Sequence, residues 1–309
     1  WPFKKKDDEE IWFKIAGDPV ADEDEVLWTV VDITQRVQTQ NKIEQLASQL
    51  SKYLSPQVYK SIFSGKKNVK IEAYRKKLTV FFSDIKGFTE ITDRLEPEVL
   101  SSLLNSYLNE MSQIALRHGG TIDKFVGDAI LIFFGDPETR GEKEDAKACA
   151  LMALEMRERM KHLRKIWEDQ GISNPLEIRI GINTGFCNVG NFGSEDRLDY
   201  TIIGGEVNLA SRLESNADPG QILISHETYS LIKKDIVCEK KEELSVKGIS
   251  HKIQTYQISD TSKNLEKKKL LLNEEYEGFN LNIDLNVAYK DQVISSLEST
   301  LSKMKKSRT

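Results

Sequence analysis

The sequence predicts an α+β fold: a ferredoxin-like βαββαβ core with additional C-terminal strands and helices. Three observations carry that expectation. Short apolar runs, as in "LTVFF" and "LEIRIGI", have strand length and are bounded by turn residues. Two long stretches, 97–117 and 144–168, repeat apolar residues at helical spacing. One tight hairpin, "TIDKFVGDAILIFFG", lies between them, so the order reads strand, helix, hairpin, helix, strand.

The chain has 309 residues, 39% hydrophobic and 30% charged, enough for a sizeable core in an ordinary globular protein. A net charge of −5 weighs against nucleic-acid binding through bulk electrostatics, and no nucleic-acid partner is expected. Cys149, Cys187 and Cys238 form no CxxC pair, which suits a reducing cytosol. His118, His162, His226 and His251 are scattered singly, against a zinc site. No apolar run has the length of a membrane span and no signal peptide opens the chain. The start at Trp1 leads us to expect a piece of something longer.

In chain order, residues 1–35 close with "VLWTVVDITQR", an apolar strand ended by Asp32, Thr34 and Arg36. This resembles the last strands and exit motif of a PAS sensor domain. Thirty-five residues cannot bury such a core, so the resemblance implies a remnant; a hairpin packed on a neighbouring domain is the alternative. Residues 36–65 read as a linker. Ile43, Leu46, Leu50 and Tyr53 recur at three- and four-residue steps as a short coiled-coil seam, and Pro56 opens a further helical turn stopped by Gly65.

Residues 66–260 form the main domain. Leu78–Ser83 is a buried strand. The helix at 97–117 starts at Pro97, places Leu100, Leu104, Leu108 and Met111 on one face, and stops before Gly119. The hairpin turns at Gly127-Asp128. The helix at 144–168 turns Cys149, Met152, Met156, Met160 and Leu163 inward, and Ile178, Ile180 and Ile182 alternate along the next strand. Then come a strand at "DYTIIG", a helix at "EVNLASRLE", a strand at "QILIS", a helix around 227–233 and closing strands to Ile258. Residues 261–309 form a charged extension, with an amphipathic helix at 287–306 to which no chemistry is assigned.

The chemistry begins with "LTVFFSDIKGFT", where an apolar strand hands its last inward position to Asp84. In a βαββαβ sheet the hairpin and the first strand are central neighbours, so Asp84 and Asp128 can stand side by side. Two close carboxylates repel unless a cation lies between them, which predicts a divalent metal. The amides of "IKGFT", including those of Phe88 and Thr89, open toward a helix start and suit a polyphosphate. Two capping aspartates at turns are the competing explanation. In "EVNLASRLE", Asn208 and Arg212 lie one helical turn apart, able to bind a phosphorus centre and its oxygens. Pairing of Arg212 with Glu206 or Glu214 is the plainer alternative. Lys247 in "SVKG" offers a point charge for terminal phosphates.

Together these motifs resemble the class III nucleotide cyclases. "FFSDIKGFT" and "KFVGDAILIFFG" are similar to the two metal-Asp motifs, "GGEVNLASRLES" to the transition-state helix and "VKG" to the phosphate-lysine motif. The resemblance implies attack of a ribose 3′-hydroxyl on the α-phosphorus with release of pyrophosphate. It also implies Mg²⁺ or Mn²⁺, two per active site, on Asp84, Asp128 and the Ile85 carbonyl. Two family positions read the purine, and they fall on Lys124 and Thr201. Lysine is only a donor and suits adenine N1, whereas guanine presents N–H there. Guanylate cyclases carry Glu and Cys at these places. Thr201 matches a Thr-using subgroup of adenylate cyclases in place of the commoner Asp; its hydroxyl can donate as well as accept.

The expected activity is therefore adenylate cyclase, on ATP, under control of an upstream sensor missing from this chain. A guanylate cyclase, or a cyclase-like module that binds nucleotide without turnover, is the alternative. The family builds each site across a dimer interface, which implies a homodimer with two shared sites. The catalytic domain is expected in the cytoplasm, and membrane attachment of the parent stays open.

Overall fold

The computed structural model describes residues 2–4, 10–19, 26–63, 71–93, 95–169, 171–172, 176–194, 196–245, 252–262, 271–276, 279–284 and 290–306. It divides into two units, Trp1–Lys67 and Asn68–Thr309.

In the first unit β1 (Pro2–Lys4), β2 (Glu10–Pro19) and β3 (Val26–Asp32) make an antiparallel sheet in that order. The Asp32 carboxylate accepts from the Thr34 amide at 2.9 Å, and the Thr34 hydroxyl accepts from the Trp12 amide at 2.9 Å. The two bonds tie the end of the sheet to helix α1 (Thr34–Leu50). No residue of α1 is buried, and Ile43, Leu46 and Leu50 of the expected seam are exposed. The helix tightens into a 3₁₀ turn at Ser51–Tyr53, and α2 (Pro56–Phe63) follows.

The second unit opens on β4 (Glu72–Ile85), which is longer at both ends than the apolar run alone indicates. After it come α3 (Phe88–Thr92), α4 (Pro97–His118), β5 (Thr121–Val126), β6 (Ala129–Phe134), α5 (Glu142–Asp169) and β7 (Ile178–Gly193). These supply the core sheet, in the order β7-β4-β6-β5. That is the ferredoxin-like order, with β4 central. Then follow β8 (Leu198–Ile203), α6 (Gly205–Ser215), β9 (Ile222–Ser225), α7 (His226–Ile232), β10 (Ile236–Leu244) and β11 (Ile253–Thr261). β9 pairs parallel with β7 and extends the sheet through β11 to β10, while β8 pairs with the far half of β7.

Strand alternation sorts side chains to two faces. Phe81 and Ile85 of β4, Ile130 and Ile132 of β6, and Ile178, Ile180 and Ile182 of β7 pack against α4 and α5. Leu78, Val80, Leu131, Phe133, Cys187 and Val189 point to the opposite face, where they meet Ala210 of α6. Both faces of β4 are therefore covered, which explains its nearly unbroken apolar run. The two core helices α4 and α5 share one face, and α6, one of the additional C-terminal helices, lies on the other. On α4 the buried ridge is Leu103, Tyr107, Met111 and Ile114, with Leu104 and Leu108 at its edge. Along α5 the expected Cys149, Met152, Met156, Met160 and Leu163 are all buried.

The extension beyond β11 contains more than the expected helix. A hairpin of β12 (Leu271–Tyr276) and β13 (Phe279–Asp284) precedes α8 (Lys290–Lys306). Among the described residues no helix is long and apolar enough to cross a membrane.

What sets α6 against the sheet is Gly181. A Cβ there would lie 2.2 Å from both the Ala210 carbonyl oxygen and the Glu214 amide nitrogen. No side chain fits at that distance, so helix backbone rests directly on strand backbone. Gly181→Ala is expected to lift α6 and cost about 3 kcal/mol, the upper range for overpacking a tight contact. Urea denaturation of the two proteins measures the loss.

Candidate functional site

The first group of polar residues gathers at the C-terminal end of β4. Ser83 pairs in register with Ile130, which places Asp84 next to Asp128 in the turn before β6. The Ile85 amide donates to Asp128 Oδ2 at 3.1 Å. Across the β4–β7 ladder Asp84 faces Arg179, whose guanidinium donates to Asp84 Oδ2 at 2.9 Å. The same guanidinium nitrogen lies 2.9 Å from Glu214 Oε1 on α6. Burial, then the neighbouring Asp84 carboxylate, push the Asp128 pKa up to about 6. Burial likewise raises Glu214 to about 7, against the pull of Arg179.

These groups fit a hard divalent cation. Asp84 and Asp128 present oxygen donors side by side, and Arg179 donates to Asp84 alone of the two, while burial and then the Asp84 carboxylate raise the Asp128 pKa. Among the described residues no three His, Cys, Asp or Glu side chains stand close enough to hold a metal ion. A cation here would therefore complete its shell from backbone carbonyls, such as that of Ile85, and from non-protein oxygens. Phe88 and Thr89 open α3. At five residues that helix has little dipole, so any phosphate cradle depends on its individual amides.

A second group forms where β5 approaches β8, and it rests on a residue the sequence reading passed over. β5 pairs Ile122 with Ile132 and Lys124 with Leu131, leaving Asp123 as the extra residue of a β-bulge. The bulge breaks the alternation, so the neighbouring Asp123 and Lys124 side chains meet. Asp123 Oδ1 lies 3.2 Å from Lys124 Nζ. Its Oδ2 accepts from the Thr201 hydroxyl at 2.6 Å and from the Ile202 amide at 3.1 Å. The two expected purine-reading residues thus converge on one carboxylate whose side chain is 1% exposed. Burial raises the Asp123 pKa, opposed by Thr201, Lys124 and the Ile202 amide.

Asn208 and Arg212 form the third group, exposed one turn apart on α6. Neither suggested carboxylate pairs with Arg212. Glu206 accepts from Asn183 at 2.7 Å, and Glu214 faces Arg179. Within one chain, no hydrogen bond or ion pair among the described residues joins the three groups. Lys247 lies outside the described residues. Arg179 and Glu214 went unforeseen because only strand register and helix docking bring them to Asp84. The arginine in "EIRIGI", polar in a strand of isoleucines, was the available signal.

The adenylate and guanylate cyclase catalytic domain family matches residues 69–260. The crystal structure of the adenylyl cyclase CyaB from P. aeruginosa is 64% identical with a TM-score of 0.61, over 62% of this chain and 97% of that one. The guanylyl cyclase Cya2 structure is 34% identical with a TM-score of 0.60, over 62% of this chain and 96% of that one. A terminal-differentiation-specific adenylate cyclase of Dictyostelium discoideum is 33% identical over 238 residues, 74% of this chain and 11% of its own length. The chain spans 28% and 34% of two further curated relatives, both adenylate cyclases.

Replacing Asp84 by Asn leaves the burial of Asp128 in place but removes the neighbouring charge that adds to its upward shift. In metal-free protein the Asp128 carboxyl should then titrate below about 6, toward the ordinary 3.8. A ¹³C carboxyl titration of both proteins reads the shift, which should be downward.

Proposed function

We propose that this chain, which belongs to the family of adenylate and guanylate cyclase catalytic domains, converts ATP to 3′,5′-cyclic AMP and pyrophosphate. The observation that carries the choice of ATP is the convergence of Lys124 and Thr201 on one buried carboxylate. A lysine there offers only protons and suits the N1 lone pair of adenine. The 64% identity to the adenylyl cyclase CyaB supports the same choice.

In this reading Lys124 and Thr201 bind the base, and the amides at Phe88 and Thr89, with Lys247, bind the phosphate chain. Asp84, Asp128 and the Ile85 carbonyl would hold two Mg²⁺ or Mn²⁺ ions, which supply Lewis acidity and neutralise phosphate charge. Asn208 orients the ribose and α-phosphate, and Arg212 stabilises the negative charge that builds on phosphate oxygens as the 3′-oxygen attacks. Asn208 and Arg212 have no side-chain partner among the described residues of their own chain, which favours a site completed by a second copy. One protomer contributes Asp84 and Asp128, and its partner Lys124, Thr201, Asn208 and Arg212. Two-fold symmetry then gives two sites.

The exposed Ile43, Leu46 and Leu50 of α1 supply a dimer seam, weak enough to be biased by a PAS-like sensor that β1–β3 would terminate. The cytoplasm is the compartment proposed for the domain, supported by its three free cysteines.

Incubation with ATP or GTP and Mg²⁺ or Mn²⁺, followed by product chromatography, tests the activity. Cyclic AMP should form only with a divalent metal, and Asp84→Ala or Asp128→Ala should abolish nearly all of it. Exclusive formation of cyclic GMP would make the chain a guanylate cyclase instead.

The shared site has its own test. Arg212→Ala should lose ~100- to 1000-fold in kcat, the scale of one lost electrostatic donor. Mixing the inactive Asp84→Ala and Arg212→Ala proteins should restore activity, because one heterodimer site is then intact. Heterodimers that form and stay inactive would exclude assembly across two chains.

A further inference from the structure

We propose that Asp123 is a positioning residue that sets base specificity by fixing the hydrogen-bonding polarity of Lys124 and Thr201. The inference rests on the reading of those two residues as the purine contacts.

A hydroxyl is ambiguous: it can present its proton or its lone pairs to a base. The structure removes the ambiguity at Thr201. Its hydroxyl donates to Asp123 Oδ2 at 2.6 Å, and the Ile202 amide donates to the same oxygen at 3.1 Å. The ammonium of Lys124 stands 3.2 Å from the other oxygen. An ionised carboxylate held by two hydrogen-bond donors, with the lysine's charge beside it, has no proton to return, so the Thr201 proton is committed and its oxygen has only lone pairs to offer a base. Lys124 has protons only. The pair therefore presents one donor and one acceptor in fixed order.

Adenine carries the complement on its Watson–Crick edge, a lone pair at N1 and protons on the 6-amino group. Guanine carries the reverse, a proton at N1 and lone pairs at O6. With guanine, N–H would face ammonium and O6 would face the Thr201 oxygen, so both contacts fail together. The β-bulge makes this possible. In a regular strand Asp123 and Lys124 would point to opposite faces, and one carboxylate could not hold the lysine and Thr201 at once.

The test is the ratio of kcat/KM for ATP to that for GTP, measured on a single preparation of the full chain with Mg²⁺ or Mn²⁺. Any unfolded fraction lowers both values equally and cancels from the ratio. In Asp123→Asn the amide N–H₂ can donate to Thr201 and release its proton toward the base, while Lys124 loses its counter-charge. The ratio should fall by ~10- to 100-fold, because a site built to hydrogen-bond one base loses its discrimination when the polarity reverses. Thr201→Val removes the hydroxyl and should also lower the ratio. Adding Asp123→Asn to it should lower the ratio by less than Asp123→Asn does alone, because the two side chains act as a unit.

If wild-type protein prefers ATP and Asp123→Asn keeps the ratio within about two-fold, Asp123 does not set specificity. Fully additive effects in the double variant overturn the coupling to Thr201. A wild type that turns over neither nucleotide, or prefers GTP, overturns the reading of the site and this inference with it.

Discussion

Two carboxylates held side by side at the end of the sheet are the constraint around which the second unit is arranged. Burial of Asp128, and then repulsion from Asp84, lift the Asp128 pKa to about 6. Hydrophobic packing on both faces of the sheet holds them there. Phe81, Ile130 and Ile182 on one face, and Val80 and Phe133 on the other, are essentially fully buried. Each such side chain contributes roughly 1.5–3 kcal/mol. Many of them together outweigh one unfavourable charge pair. Arg179 relieves part of the cost and also joins the sheet to α6 through Glu214, so the electrostatics of the site and the docking of the helix are one problem.

Elements defined by their own sequence were legible in it. The apolar run of β4, the hairpin turn at Gly127-Asp128 and the methionine face of α5 announce themselves by spacing. The adjacency of Asp84 and Asp128 followed from strand order alone. What stayed hidden depends on long-range registration. Arg179 is opposite Asp84 only because of the β4–β7 register. Asp123 joins Lys124 to Thr201 only because a bulge breaks the alternation that a reader assumes. The position of α6 on the second face turns on Gly181, whose missing Cβ matters only once Ala210 and Glu214 rest upon it. The β12–β13 hairpin lay inside a segment whose charge suggested a single helix.

The two polar groups solve different physical problems. At Asp84 and Asp128 two carboxylates share one guanidinium and a few amides, which leaves the negative charge that the proposed cation would offset. At Asp123 two hydrogen-bond donors and the Lys124 charge offset part of the burial cost, and the carboxylate orients the groups around it. A metal site needs vacant oxygen valence, whereas a base-reading site needs side chains whose donors and acceptors cannot rotate out of order.

Asp136 extends the comparison. It is 2% exposed, yet it accepts from the Tyr74 hydroxyl at 2.6 Å, Lys76 Nζ at 2.8 Å and the Tyr200 hydroxyl. Those donors bind β4, β8 and the end of β6 together. Ranked by the donors around them, the aspartates run from Asp136 through Asp123 to Asp128, which has one amide and a neighbour of like charge. Sequence presents all three as an aspartate near a strand end. Their roles separate because an ionised carboxylate in low dielectric must be neutralised by something. Where the chain supplies the donors, the residue serves the fold or positions its neighbours. Where the chain withholds them, a proton or an outside cation must supply the charge, and in the proposed function the metal would do so at Asp128.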